Sequence, residues 1–301
     1  MAPKKILLIV NSKSGNNSKS GLKESFIDYT SSKNYISHIL FLDHDPKNSI
    51  QKTIQSFAPD VIITAGGDGT VNLVASFIKH TDIQLIIFPH GSANGMAKDL
   101  KMPADFNQCL ALIEKGKSVK LDILKINNET SVHLADVGLN ARIVKRFQLD
   151  NKRGMLTYAK YLFNELFYIN SKYFTIKYAD KVRKVKAVSL TFANATRYGT
   201  GAVINPEGKI NDGLFEICIV KPFPKINFIT IALQMFRNRL SYSRFFETIQ
   251  CKKAIVSSKR KTLLQIDGEV IGKVNRVELE CIPAAINVVI PTDLDYPTLI
   301  N

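Results

Sequence analysis

VIITAGGDGTVNLVASFIKH, Val61–His80, is the stretch whose reading decides the fold. Val61-Ile62-Ile63 is an apolar run of the length of a buried strand, and it breaks at Gly66-Gly67-Asp68-Gly69. After Thr70, the residues Val71, Leu73, Val74, Phe77 and Ile78 recur at helical spacing. A strand, a glycine turn and a helix in that order surround a small concavity with backbone N–H groups. The helix start adds its free N–H groups and partial positive charge, so the site suits an anion such as phosphate. The glycines let the backbone approach a ligand with no Cβ in the way. Asp68 would repel phosphate unless a cation or a transferable proton lies beside it, and it reads as facing Mg²⁺-bound phosphate or a hydroxyl. The same residues also fit a tight strand-to-helix turn with Asp68 as a helix N-cap.

Outward from this stretch the pattern repeats. Lys4–Val10 (KKILLIV) predicts a buried strand that ends in Asn11-Ser12-Lys13-Ser14-Gly15, a polar turn rich in donors. A helix is predicted over Leu22–Thr30, a strand over Ile36–Leu42 and a helix over Ile50–Phe57, stopped before Pro59. Ile83–Phe88 predicts a further strand, and it opens into the glycine-rich turn Pro89–Gly95 and a helix through Leu100. Strands that empty into donor-rich loops, with helices between them, predict a doubly wound parallel sheet with its ligand at the strand C-terminal ends. A helix over Phe106–Lys115 closes this part, and a boundary is expected near Val119. The domains expected are thus 1–119, an α/β nucleotide-binding domain, and 120–301, an antiparallel β-sandwich whose last residues are free to return to the first.

In the second part, Leu121–Ile126 and Thr130–Val137 read as a hairpin about Asn127-Asn128. A long helix is predicted over Gly154–Ile169. Short strands are predicted at Tyr173–Tyr178, Val185–Ala193, Phe215–Val220, Ala254–Ser257, Leu263–Ile266, Arg276–Cys281 and Ile286–Ile290, with one helix at Ile226–Phe236. Consecutive strands joined by tight turns argue for an antiparallel sheet or sandwich. Asn211-Asp212-Gly213 and Asp267-Gly268-Glu269 read as turns, because Asp-Gly is a common turn pair. Ala111–Ser118 (ALIEKGKS) ends like a P-loop but lacks its first glycine and follows a helix, so it is a chance match.

The chain carries 41 Lys and Arg against 26 Asp and Glu, a net charge of +15. That excess implies an anionic partner: nucleic acid, an anionic lipid surface or a phosphorylated ligand. It is concentrated between Ala141 and Leu190, with 12 basic and 3 acidic residues. No helix-turn-helix, RNP or zinc-finger pattern supports nucleic acid. In Phe236–Phe246 arginines interleave with aromatics, as suits a membrane interface. The four cysteines show no CxxC pair, which implies free thiols in a reducing cytosol. No signal peptide is read at the N-terminus and no apolar run is long enough to span a bilayer, so any lipid contact is expected to be peripheral.

Taken in order, GGDGTVN at Gly66–Asn72, the PxGSxN loop at Pro89–Asn94, NDG at Asn211–Gly213 and DGE at Asp267–Glu269 resemble the diacylglycerol kinase catalytic-domain family. These are soluble bacterial lipid kinases related to sphingosine and ceramide kinases. GGDGT alone is also shared with NAD kinases; the four elements together, over nearly the whole chain, are far more specific. The resemblance implies an α/β nucleotide-binding domain followed by a β-sandwich, with ATP in the cleft. Asn11, Ser12, Lys13, Ser14, Gly15, Gly66, Gly67, Asp68, Gly69, Thr70, Val71, Asn72 and Ser92 would hold the nucleotide. Mg²⁺ would be bound by Asp212 and by the carbonyls of Lys209 and Leu214. Glu269 would accept the proton, with Asp68 orienting a metal or its waters. Ser12 departs from the family's proline, Ser92 from its usual threonine, and Gly95-Met96 from an acidic-aromatic pair. The strand-two threonine that touches ATP in relatives has no match near Leu42–Asp43.

The activity expected is transfer of the γ-phosphate of ATP to a lipid hydroxyl, most simply diacylglycerol to phosphatidic acid. A sphingoid base or another lipid, a NAD kinase, and a non-catalytic nucleotide- or lipid-binding protein are the alternatives. The expected setting is the cytoplasm, peripheral to the inner face of an anionic membrane, without nucleic acid, and with a homodimer as a further expectation.

Overall fold

The computed structural model describes residues 3–11, 19–149 and 170–294, with Tyr296 and Leu299. The chain divides into two compact units, Met1–Leu121 with Ala284–Tyr296, and Asp122–Pro283.

In the first unit the strands β1 (Lys5–Val10), β2 (Ile36–Phe41), β3 (Val61–Gly66) and β4 (Gln84–Pro89) are parallel, in the order β2-β1-β3-β4. The end of the last strand, β14 (Glu269–Ile290), adds a fifth parallel strand beside β4, with Asn287 opposite Gln84. Ile6–Val10 and Val61–Gly66 are buried throughout, as strands covered on both faces must be. The helices α1 (Lys19–Ser32), α2 (Pro46–Phe57), α3 (Asp68–Ile78), α4 (Gly95–Asp99) and α5 (Phe106–Lys115) connect them. Local chemistry sets their ends. Asp45 accepts the Asn48 amide and Pro46 opens α2, while Asp105 accepts the Gln108 amide of α5. Phe106, Cys109, Leu110, Leu112 and Ile113 form the buried face of α5.

The second unit is antiparallel. Its strands are β5 (Lys117–Ile126), β6 (Glu129–Ser131), β7 (Leu134–Gly138), β8 (Lys172–Tyr178), β9 (Lys181–Ala187), β10 (Ser189–Ala193), β11 (Phe215–Val220), β12 (Phe246–Cys251), β13 (Lys253–Ile266) and the first part of β14. The sheet order is β12-β11-β10-β7-β13-β14, with β8-β9 continuing from β13 and β5-β6 from β14. Alternation decides which face each residue covers: Phe215, Ile217 and Ile219 of β11 enter the main core with Phe174, Phe192 and Leu264. Cys218, between them, faces a smaller cluster with Leu134, Ile231 and Leu240. Ile231 belongs to α7 (Phe228–Phe236), which covers that second face. A parallel-sheet unit followed by an antiparallel β-sandwich is the expected fold class.

Several boundaries differ from expectation. The predicted hairpin about Asn127-Asn128 is β5 with the three-residue β6; β7 leaves it to pair with β10 and β13. Val185–Ala193 is two strands, because β9 pairs with β8 whereas β10 lies between β7 and β11. Ala254–Ser257 and Leu263–Ile266 are one strand with a register shift between Ser257 and Thr262. Arg276–Cys281 and Ile286–Ile290 are likewise parts of the one strand β14, which runs on through Pro283 and left-handed Ala284 where the chain passes between units. The helix α6 (Leu139–Leu149) and β12 were not anticipated. The helix expected at Gly154–Ile169 lies outside the described residues. All four cysteines are buried free thiols. No described helix is long and apolar enough to cross a membrane.

Candidate active site

In the first unit the loops after β1, β3 and β4 lock into one another. The Asn11 amide donates to the Ala65 carbonyl at 2.9 Å, and its side-chain Nδ2 donates to Thr70 Oγ1 at 3.0 Å. The His90 amide donates to the Gly66 carbonyl at 3.1 Å. Asn94, in the left-handed region with φ 52°, accepts the Gly91 amide at 2.8 Å and donates to the Gly91 carbonyl at 2.7 Å, which closes the PxGSxN turn on itself. Asp68 then ties the two glycine loops together. Its Oδ2 accepts the Gly95 amide at 2.9 Å and its Oδ1 the Met96 amide at 3.0 Å, at the start of α4.

This geometry gives Asp68 a positioning task that sequence reading did not assign, neither the N-cap of its own helix nor a carboxylate turned only to a metal. Gly67 is the N-cap of α3 and supplies no side-chain bond, so the first-turn amides there are left to other partners. The glycines also do more than admit a ligand. A Cβ on Gly91 would lie 2.4 Å from Gly67 Cα and 2.9 Å from Gly67 N. Backbone meets backbone here, and no rotamer can relieve the clash. The Gly91→Ala protein is expected to lose about tenfold or more in ATP affinity, read as a smaller ATP-induced rise in melting temperature, because the loops must separate.

Among the other expected nucleotide ligands, Val71 is turned inward instead. Its side chain is buried in the core and its amide donates to the Gly67 carbonyl at 3.1 Å, so it serves the helix. The Thr70 amide makes the same kind of bond at 3.0 Å. Gly67, Gly69 and Asn72 are half-buried and Ser92 is exposed. Ser12, Lys13, Ser14 and Gly15 lie outside the described residues. His90 stacks on Phe88, ring centroids 5.8 Å apart, and burial holds its imidazole pKa below the ordinary value.

In the second unit the DGE segment is a two-residue hairpin turn. Asp267 (φ 47°) and Gly268 (φ 85°) both occupy the left-handed region, and Ile266 pairs with Glu269. The Asp267 carboxylate is buried and anchored by the 131–134 segment. Oδ1 accepts from Ser131 Oγ at 2.8 Å, from the His133 amide at 3.2 Å and from the Leu134 amide at 3.0 Å; Oδ2 accepts the Val132 amide at 3.0 Å. Gln265 accepts the Gly268 amide at 2.8 Å and donates to the buried Asp136 at 2.6 Å. Glu269 is thereby displayed by a fixed scaffold. Its carboxyl pKa is raised, first by loss of water around it and then by Glu129. The residue stays open to solvent, which weakens both effects.

The NDG segment collects negative charge. Gly213 (φ 75°) turns the chain so that its amide donates to Asp122 Oδ2 at 2.6 Å. Asp212 Oδ1 accepts the Leu214 amide at 2.9 Å, while its Oδ2 meets Gln250 Nε2 only at 3.4 Å. Glu216 lies between Asn205 and Gln250, and its pKa is raised mainly by burial, with Asp212 and Glu207 adding to the rise. Among the described residues no three His, Cys, Asp or Glu side chains form a metal-holding group. The expected set is of another kind, one carboxylate with two carbonyls. All its donors are oxygens in a locally acidic loop, which fits a hard divalent cation. The Leu214 carbonyl accepts from the Cys281 thiol at 3.6 Å.

Sequence reading missed Asp122, Asp136 and the anchoring role of Asp267. The first two had a signal: each interrupts an apolar strand, LDILKI and LADVG, where a buried carboxylate requires partners.

Two family models cover most of the chain. A diacylglycerol kinase catalytic domain matches residues 5–126, and a YegS C-terminal NAD kinase beta sandwich-like domain matches residues 133–290. A diacylglycerol kinase of Staphylococcus aureus is 31% identical over 252 residues, 80% of this chain and 78% of that one. A Pectobacterium atrosepticum protein named "Probable lipid kinase YegS-like" is 28% identical over 296 residues, 95% of each. An uncharacterized Synechocystis protein is 27% identical over 250 residues, of which this chain spans only 55% of the length. The crystal structure of a diacylglycerol kinase from Bacillus anthracis superposes with a TM-score of 0.74 at 20% identity, covering 98% of this chain and all of the other; that likeness is one of fold. Fold, loops and matches are those of the lipid kinase-like class of proteins. The chain belongs to the diacylglycerol kinase catalytic-domain family, and the family implies ATP as phosphate donor.

Proposed function

We propose that this protein is an ATP-dependent lipid kinase that transfers the γ-phosphate of ATP to a lipid hydroxyl, with diacylglycerol to phosphatidic acid as the reaction. The observation that carries the reading is the locked pair of glycine loops, Gly67 against Gly91 and Asp68 on the Gly95 and Met96 amides, in a chain of this family. Preorganised N–H groups at strand ends are what a triphosphate tail requires.

In this mechanism the loop amides, with Asn11 and Ser92, hold and orient the phosphates. Glu269 accepts the proton of the lipid hydroxyl while that oxygen attacks the γ-phosphorus in line and ADP departs. Asp267, Gln265 and Asp136 keep Glu269 in register. Asp212, with the carbonyls of Lys209 and Leu214, would hold a structural Mg²⁺ that offsets the acidic loop, and Asp68 would orient a nucleotide-bound Mg²⁺ or its waters. When bound, Mg²⁺ supplies charge neutralisation at the phosphates.

The experiment is radiolabelled ATP with a total lipid extract, beside parallel reactions with diacylglycerol and with NAD. Label in phosphatidic acid supports the proposal. Label in NADP alone would make the chain a NAD kinase, and no label despite an ATP-induced thermal shift would make it a binding protein.

The pH dependence is a second expectation. A base with a raised pKa loses activity on acidification sooner than an ordinary carboxylate, so the acidic limb of kcat/KM should lie above the usual glutamate range. Removing the neighbouring charge with Glu129→Gln should move that limb to lower pH. A limb that stays in place would remove Glu129 from the electrostatics of the site.

A further inference from the structure

Helix α7 and the turns on either side of it present apolar side chains to water. Ile226, Ile229 and Phe236 are 86%, 68% and 58% exposed, and Leu233 is exposed between them. Ile229, Leu233 and Phe236 fall at i, i+4 and i+7, one stripe of the helix, opposite Ile231, which is buried in the core. Each of these side chains gains by leaving water for an apolar environment, so a stripe of this kind favours a surface that covers it.

The surroundings are basic. From Lys221 to Phe246 the chain has five Lys and Arg and no Asp or Glu. Arg237, Arg239 and Arg244 are exposed, and none forms an ion pair with a described residue. Arg244 lies over the Phe245 ring at 4.8 Å. Arg237 and Arg239 line a groove of about 550 Å³ together with Thr230, Leu233, Gln234 and Tyr242, the last 82% exposed. By contrast, the basic β8-β9 hairpin displays scattered lysines, and its Arg183 is paired with Glu247 at 3.0 Å.

We infer that α7 with the Arg237–Arg244 turn is the element that enters an anionic membrane surface. The stripe sinks into the acyl boundary, the arginines meet lipid phosphates at head-group depth and Tyr242 sits at the interface. At nine residues the helix lies in the plane of the surface. A second copy of the chain is the poorer occupant, because a twofold contact through this stripe would bring the three unpaired arginines against their own equivalents. The inference deepens the lipid-kinase reading, which supplies its purpose, but binding is measured without turnover.

The test uses the full chain without ATP and measures sedimentation with phosphatidylcholine vesicles, with and without phosphatidylglycerol. The parent should bind only the anionic vesicles, and less at high salt. The Arg237→Gln/Arg239→Gln/Arg244→Gln variant should lose on the order of a hundredfold in partitioning, at about 1 kcal/mol for each arginine. Ile229→Ser/Phe236→Ser should lose about tenfold or more, while Lys181→Gln/Lys184→Gln on β9 should change binding little. Circular dichroism should show all three folded like the parent, and turnover on detergent-dispersed short-chain diacylglycerol should be retained. Parent-like vesicle binding by the first two variants would overturn the inference and leave the kinase reading standing. So would sedimentation velocity in which those variants only convert a dimer to monomer. Failure to label any lipid would sink the kinase reading and leave the vesicle result intact.

Discussion

The Glu269→Gln enzyme is expected to turn over roughly two to four orders of magnitude more slowly than the parent, with ATP affinity changed by less than about threefold. Glutamine keeps the size of the side chain and one oxygen but cannot accept the proton. Nothing that forms the hairpin is removed, because the turn is held by Asp267, Gly268 and Gln265 and not by Glu269. The melting temperature should therefore stay with that of the parent. Steady-state kinetics with diacylglycerol and an ATP-induced thermal shift separate the two quantities. A fall in KM-independent turnover with normal ATP binding assigns a proton-transfer role, whereas unaltered turnover removes Glu269 from the chemistry. The raised carboxyl pKa points the same way, since a stronger base draws a proton from an alcohol more readily.

Period and punctuation made the first unit legible. Runs such as KILLIV and VIITAG are apolar without alternation, as two-sided burial requires, and each ends in a turn that cannot continue a strand. The second unit was read less well because strand length there is set by partners far away in sequence. β14 continues through Pro283 and Ala284 because β13 flanks its first part and β4 its last, which a local window does not register. β9 ends where β10 begins for the same reason. In the site, the glycine loops and the acidic turns were visible as motifs, yet their mutual contacts were not. That Gly91 presses on Gly67, and that Asp68 spends both oxygens on amides 27 and 28 residues away, are facts of tertiary packing. Val71 shows the converse: membership in a motif did not reveal that its side chain faces the core.

Asp267 carries the second large effect. Asp-Gly in a hairpin invites the view that the aspartate is there for its tolerance of positive φ, and by that measure asparagine would serve equally well. The structure gives its carboxylate four donors in a buried position, three of them consecutive amides. The Asp267→Ala protein would leave the Ser131 hydroxyl and the Val132, His133 and Leu134 amides without that acceptor. Breaking a buried, charge-assisted set from one side costs about 3–5 kcal/mol. A thermal midpoint lowered by on the order of 10 °C follows for a unit of this size. Asp267→Asn should recover part of the loss and no more, because one of its two terminal atoms is an NH₂ group that must face donors. Turnover measured below the lowered midpoint should also fall, since Glu269 is the next residue but one and loses its register when the turn is released. Thermal unfolding of both variants beside Glu269→Gln distinguishes the roles: the aspartate variants lose stability and activity together, and the glutamate variant loses activity alone. Equal melting temperatures for all three would mean that the 131–134 segment does not depend on this carboxylate for its fold.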